Sequence, residues 1–399
     1  MSLRIQGAVD NDVHPPLFGL AERVVSLYRV LATEHSVRLL CVVPNRSRGA
    51  VRERADGIEI ERVRRAYTSV VWRAERAGLA PMFTVAYAHR AWGGTLAGRM
   101  DAEADVWSVD GLNLACLLER RARPLRVYLA QNVEADFFRN VGPGAGRFGA
   151  WAGLLAGVER RALHAADLVI AVSAEDAERL ASLYGVPGER IEVVENGYDE
   201  RRMRPPSAAE RAAARATLGV REDEHVGVFV GSDVPHNREA ARLLVERVYP
   251  EVTRAGRFRL VLVGGVAAAF AGAREPWLRC VPPVPDLLPW LHAADLGLNP
   301  VYRGAGSNVK LPGYLAAGLP VVTSAFGLRG YGDLAPCVEV AELSSMALAI
   351  QARPRPRPGT SERVARYAWA TLGRRLADGY ARRLGAAAGD GARSVGAPR

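Results

Sequence analysis

The sequence predicts an α/β protein built from two doubly wound, Rossmann-like domains. Three observations carry that expectation. Short continuous apolar runs such as Val37–Val43 (VRLLCVV) alternate with amphipathic segments of helical period, the pattern of parallel strands covered on both faces. The alternation stops at Arg201–Pro206 (RRMRPP) and then starts again. The chain has 399 residues, long for one hydrophobic core and suited to two of ordinary size.

In chain order, Arg4–Val9 reads as a first strand, followed by the loop DNDVHPPLFG. A helix from Leu20 places Leu20, Val24, Leu27, Tyr28 and Leu31 on one face. Strands follow at 37–43, 58–60, 106–109, 127–130, 168–172 and 191–194, with a helix over 151–166. The segment 69–99 holds Trp72, Phe83, Tyr87 and Trp92, which suit ordinary helix packing, an acceptor groove or a membrane contact. Beyond the break, strands are expected at 226–230, 258–263, 296–299 and 320–323, and helices at 238–248, 287–293 and 311–317. The run Ala352–Gly359 (ARPRPRPG) is a stiff extended connector, 361–384 a last helix, and 385–399 an expected disordered tail. Domains are therefore placed at 1–200 and 207–360.

Composition narrows the function. Hydrophobic residues make up 49% of the chain, ample for two cores, and no window approaches the apolar length of a membrane span. Neither a signal peptide nor a CxxC pair is read, and Cys41, Cys116, Cys280 and Cys337 are far apart, so a reducing cytoplasmic setting is expected. The scattered histidines offer no zinc spacing, and no DxD is read as a metal holder. Net charge is +10, yet the arginines are spread along the chain without an RNA-binding motif. Nucleic acid is not expected, whereas a peripheral membrane contact stays open.

Of the 53 basic residues one is lysine, Lys310, and the rest are arginine. A compact ammonium differs from a flat guanidinium in suiting a phosphate oxygen approached end-on. Lys310 follows a loop with Gly304, Gly306, Ser307 and Asn308 and opens a short helix, an arrangement that turns free N–H groups and the positive end of the helix dipole toward an anion.

Several further segments stand in a telling order. They are Asp167–Ser173 (DLVIAVS), Val194–Asp199 (VENGYD), Phe229–Ser232 (FVGS), Leu262–Gly265 (LVGG), Ala294-Asp295, GSNVKLPGYLAAGLPVV at 306–322, and Tyr367-Ala368-Trp369. With these the chain resembles the retaining nucleotide-sugar glycosyltransferases of the GT-B fold, the glycosyl transferases of group 1 and family 4. The resemblance implies two domains facing a central cleft, the first binding an acceptor and the second a nucleotide-sugar donor, with the helix 361–384 packing back onto the first.

The resemblance also implies site residues. Lys310 and a basic residue near the first donor strand, Arg238, would neutralise the donor diphosphate, although Arg238 reads equally as an ordinary helix-start residue. Gly231, Ser232, Val284, Gly306, Ser307, Asn308 and Leu311 would line the nucleotide, and Gly19 would let the first helix approach it. Gln131, in AQNVEADFF, stands where relatives carry a histidine that contacts the transferred sugar. The two glutamates usual in the family fall on Ala305 and Gly313. Asn132 and Glu134 read either as polar groups at the site or as a helix-cap pair, and His14 as a solvated or site-facing histidine. The implied activity is metal-independent, retaining transfer of a hexose from a nucleotide-diphosphate sugar to a hydroxyl acceptor, which is a glycan, a lipid-linked molecule or a small natural product. The missing carboxylates and histidine keep a second reading open: a catalytically degenerate GT-B protein, either a pseudoglycosyltransferase or a partner subunit.

Overall fold

A computed structural model describes residues 2–16, 19–45, 47, 49–120, 124–140, 146, 148–304 and 307–394, with side chains as far as residue 386. The chain forms two compact units, residues up to Glu195 together with Trp369 onward, and Asn196–Ala368.

The first unit is built on β1 (Arg4–Val9), β2 (Ser36–Pro44), β3 (Arg52–Ala55), β4 (Ile58–Arg65), β5 (Val106–Asp110), β6 (Leu125–Leu129), β7 (Leu168–Ala171) and β8 (Ile191–Val193). Their order is β3-β4-β2-β1-β5-β6-β7-β8, parallel throughout except for the β3–β4 hairpin. Successive residues of β2 show why the run is apolar without alternation. Leu39, Cys41 and Val43 point into one core and Leu40 and Val42 into the other, so both faces of the sheet are covered. One cover is made by helices Gly19–Leu31 and Trp369–Ser394, the other by helices that include Ala152–Ala165.

The second unit contains β9 (His225–Val230), β10 (Phe258–Val263), β11 (Leu278–Val281), β12 (Leu296–Asn299), β13 (Val321–Thr323) and β14 (Glu339–Val340). All are parallel, in the order β11-β10-β9-β12-β13-β14. That is the 3-2-1-4-5-6 order of the dinucleotide-binding sheet.

Three boundaries differ from the sequence reading. The units divide between Glu195 and Asn196, ahead of Arg201–Pro206, because residues 196–198 are tied into the second unit. Tyr198 N donates to Tyr367 O at 3.1 Å and Tyr331 Oη to Asn196 O at 2.9 Å. The helix expected over 361–384 is two helices, Thr360–Ala365 and Trp369–Ser394, because Ala368 leaves helical geometry to bridge Tyr198. Tyr367 is buried in the second unit's core and Trp369 in the first's. The last helix extends to Ser394, past the expected end at 384, with 395–399 outside the described residues.

The aromatics of the ambiguous segment 69–99 part company. Phe83 is buried edge-on against Phe138 and Trp151, whereas Trp72, Tyr87 and Trp92 stay exposed on helices Ala66–Arg76 and Val85–Ala91 and just beyond. Among the described residues no helix is long and apolar enough to cross a membrane.

Candidate functional site

In the second unit the chain leaves β9 on one side of a switch in strand order and β12 on the other. Open α/β sheets bind ligands in the crevice outside the strand C-termini at such a point. From β9 the chain turns through Gly231 and Ser232 into helix Pro235–Leu243, and from β12 it loops to helix Lys310–Ala316. Glycine is required where the loops meet. Gly264, at φ +104°, would with a Cβ approach Gly231 O to 2.5 Å, and a Cβ on Gly265 would approach Asp233 N to 2.8 Å.

Lys310 is part-buried at this crevice. Its Nζ donates to Asn237 Oδ1 at 3.2 Å and lies 5.2 Å from the centre of the Phe229 ring. Burial without an anionic partner pulls its ammonium down to about 8. Asn237 Nδ2 donates to Ser232 O at 3.2 Å and lies 3.4 Å from Ser232 Oγ, so the amide oxygen is left for the lysine. His236, the preceding residue, has a buried Nδ1 without a hydrogen-bond partner among the described residues, and burial together with the Lys310 charge lowers its imidazole to about 4.

The Ser307–Asn308 loop is braced from the VENGYD turn. Asn196 Nδ2 donates to Ser307 Oγ at 2.8 Å, Tyr331 Oη lies 3.4 Å from the same oxygen, and Asn308 Nδ2 reaches Phe326 O at 3.4 Å.

Other expected residues fall elsewhere. Arg238 does not join Lys310. It is exposed, its Nη1 donates to Asp233 Oδ1 at 2.9 Å, and it lines a shallow depression with Arg242 and Arg303. One step along a helix turns a side chain by about 100°, which separates Arg238 from Asn237. Leu311 is fully buried and its N–H is already bonded to Asn308 O at 3.0 Å, so it serves the core. Val284 packs half-buried beyond β11. Gly306 and Ala305 lie outside the described residues. Gly19 opens its helix at a point where a Cβ would meet nothing within 4 Å, and the same holds for Gly313 in the Lys310 helix.

In the first unit, Gln131 follows β6 and has a buried Nε2 without a partner among the described residues. Next to it, the helix Glu134–Asn140 is capped by Glu159, whose Oε1 accepts from Glu134 N at 2.7 Å and whose Oε2 accepts from Ala135 N at 3.0 Å. Asn132 only steadies the Glu134 carboxyl, at 3.3 Å. Burial, with the Glu159 charge behind it, pushes that carboxyl up to about 8.

The first sheet has its own switch point, between β1 and β5. There Asp10 Oδ1 meets His89 Nε2 at 3.0 Å, its Oδ2 accepts from Asn113 Nδ2 at 3.0 Å, and His89 Nδ1 meets Tyr67 Oη at 2.9 Å. With the carboxylate on Nε2, that nitrogen carries the proton and Nδ1 accepts from the tyrosine. Asp12 accepts from Arg62 Nε at 2.7 Å, and His14 Nδ1 lies 3.0 Å from Glu53 Oε1. No cluster among the described residues has the ligands to hold a metal ion.

The comparisons with known proteins agree with this architecture. Residues 19–202 match the family model described as Glycosyltransferase Family 4, and residues 224–351 that described as Glycosyl transferases group 1. The chain is 30% identical over 255 residues to a D-inositol 3-phosphate glycosyltransferase of Streptosporangium roseum, covering 56% of this chain and 57% of that one. It spans about half the length of the curated relatives it matches. A sucrose-phosphate synthase structure from Thermosynechococcus elongatus superposes with a TM-score of 0.71 at 17% identity, over 96% of this chain and 100% of that one. The Anabaena protein HepE, in complex with UDP and glucose, gives 0.65 at 15% identity over 95% and 100%.

Proposed function

Because the chain belongs to the GT-B nucleotide-sugar glycosyltransferases, we propose that it transfers a hexosyl unit from a nucleotide-diphosphate sugar to a hydroxyl acceptor. The observation that carries this reading is Lys310, a part-buried cation with no carboxylate partner among the described residues, at the switch point of the second unit's sheet. As the glycosidic bond to the diphosphate breaks, negative charge grows on the leaving oxygens while the sugar becomes oxocarbenium-like. An ammonium already in place stabilises that charge without reorganisation. The Ser307–Asn308 loop and the first turn of helix Pro235–Leu243 add neutral donors to the same phosphates.

On this reading the donor belongs to the second unit and the acceptor to the first. Protein charge does the work of a divalent cation, and transfer proceeds with retention. Gln131 stands in this reading for the family's histidine, a neutral amide in place of an imidazole. The acceptor class is taken from relatives: proteins named D-inositol 3-phosphate glycosyltransferase suggest a phosphorylated polyol, which the arginine-rich first unit suits. A screen of nucleotide sugars by mass spectrometry tests the proposal, which fails if neither transfer nor slow donor hydrolysis occurs with any of them.

A second reading, a GT-B protein that binds nucleotide but does not turn over, is favoured by Gln131 and Gly313 standing where the family carries a histidine and a glutamate. Tight nucleotide-sugar binding without turnover decides for it.

The reading also includes a peripheral contact with an anionic membrane. Val70, Trp72, Leu79 and Trp92 are exposed, and residues 64–99 carry six arginines against one acidic residue, Glu75. Exposed aromatics within a basic surface suit the interface of an anionic bilayer.

A further inference from the structure

A departing diphosphate carries more charge than one ammonium balances, and the residue expected to supply the second cation, Arg238, is committed to Asp233 at the surface. A better-placed group stands two residues earlier in the same helix, at His236. We infer that His236 is the second cation of the donor site, protonated only when a diphosphate is bound. The inference rests on the donor reading above and adds to it the residue that completes the charge.

Its placement supports this. His236 is the second residue of helix Pro235–Leu243, which starts at the C-terminal edge of β9, so its backbone shares the positive end of a nine-residue helix. Its imidazole lies near enough to Lys310 to feel the ammonium's charge, whereas Arg238 turns away to Asp233. Its Cγ lies 3.9 Å from where a Cβ on Gly304 would stand, so Gly304 packs close to the ring. A buried ring nitrogen with no partner among the described residues, in a polar crevice, is an unfilled donor or acceptor position.

The charged groups acting on the imidazole are two. Lys310 opposes its protonation, and Glu239, three residues on in the same helix and paired with Arg303, favours it. In the free protein burial and Lys310 prevail, so the ring is neutral and two cations are not forced together in an empty site. A diphosphate reverses the balance by screening the ammonium and offering the ring an anionic partner. The proton comes from solvent, so binding takes up a proton.

The test is calorimetric titration of UDP, GDP and ADP into the full-length protein between pH 5.5 and 8.5, each in two buffers of different ionisation enthalpy. Near pH 6, where Lys310 is already charged, wild type should take up close to one proton more per bound nucleoside diphosphate than His236→Gln does, the ligand's terminal phosphate, which also titrates at about pH 6, contributing equally to both. His236→Gln should abolish that extra uptake and weaken binding about tenfold at pH 6, with little change at pH 8. His236→Lys, a fixed cation, should restore affinity with no extra uptake at pH 6. Equal proton uptake and affinity within twofold for wild type and His236→Gln overturn the inference while leaving the donor site standing. Binding of none of the three nucleotides overturns the donor reading itself, and this inference with it. Circular dichroism of each variant separates loss of fold from loss of charge.

Discussion

The Lys310 ammonium donates to Asn237 Oδ1 at 3.2 Å, and the same asparagine is fixed at its other end by Ser232. A neutral oxygen orients the cation without neutralising it, so the charge stays available to a phosphate. Lys310→Ala should therefore lower nucleoside diphosphate affinity by about 1.5–3 kcal/mol, the range for losing a charge-assisted hydrogen bond. Asn237→Asp should also weaken binding, because its carboxylate would claim the ammonium and repel the ligand. Equilibrium titration of the three proteins checks both.

The pH dependence of binding follows from the same burial. The ammonium in the free protein titrates at about 8, below its ordinary value, and a bound diphosphate raises it again. The Lys310 contribution to affinity should be full well below pH 8 and fall as pH rises through 8, toward tenfold per unit until the bound form also loses its proton. The sign for stability of the free protein is opposite. The folded state holds this proton more weakly than the unfolded chain does, so Lys310 destabilises the fold below about pH 8, and that cost is relieved as pH rises from there toward the ordinary lysine range. Binding isotherms from pH 6.5 to 9.5 check the first point, and urea unfolding of wild type against Lys310→Met over the same range checks the second.

Much of this site was legible in the sequence because a few residue types could do only one thing. A single lysine in an arginine-rich chain, after a glycine-bearing loop and before a short apolar helix, pointed to its own position. The β strands with continuous apolar runs were equally plain. What stayed hidden has physical causes. The strand β3 reads RERA and is half exposed, and β14 is two residues long, so neither carries a hydrophobic signal. The choice between Asn237 and Arg238 depends on helix phase, and Pro235 at the first helical position sets that phase three residues earlier than the expected start at 238. The Asp10–His89–Tyr67 chain joins residues dozens of positions apart, and sequence spacing holds no trace of it.

Gly313 sits in the Lys310 helix where a Cβ would meet nothing within 4 Å. Filling it should cost no packing and should remove the conformational freedom glycine gives the unfolded chain. Gly313→Ala is expected to stabilise the protein by about 0.5–1 kcal/mol. Gly313→Glu should be tolerated equally and, on the donor reading, tighten nucleoside binding by offering a carboxylate to ribose hydroxyls. Thermal unfolding and nucleotide titration of the two variants separate the helix effect from the ligand effect.

The brace between Asn196 and Ser307 predicts an effect away from any charge. Tyr331 Oη donates to Asn196 O at 2.9 Å inside the second unit, and the Tyr331 ring meets Tyr367 edge-on at 5.0 Å. Tyr331→Phe keeps the ring contact and removes only the hydroxyl, so the buried Asn196 carbonyl loses that donor. The expected cost is about 1–2 kcal/mol of stability. Because Asn196 in turn holds Ser307, nucleotide affinity should drop as well, and binding to Lys310→Ala should be little changed by adding Tyr331→Phe if both act on the same phosphates. A double-mutant cycle on nucleotide affinity measures that coupling, and strict additivity would separate the brace from the anion site.

The exposed face of the first unit carries the last prediction. Helix Ala66–Arg76 buries only Thr68 and turns Val70, Trp72, Arg73 and Arg76 to solvent, with the Arg76 guanidinium 4.8 Å above the Trp72 ring. Such a helix gains little from its own unit, so its apolar side chains need another explanation than folding. If that explanation is an anionic bilayer, the protein should sediment with vesicles containing phosphatidylglycerol and remain in solution with purely zwitterionic ones. Raising salt should release it, because screening weakens the arginine term at distances beyond about 8–10 Å. Trp72→Ala together with Trp92→Ala should reduce binding at least tenfold while leaving nucleotide affinity unchanged, since neither tryptophan belongs to the second unit. Binding that is indifferent to lipid charge and to both tryptophans would assign the face to another partner.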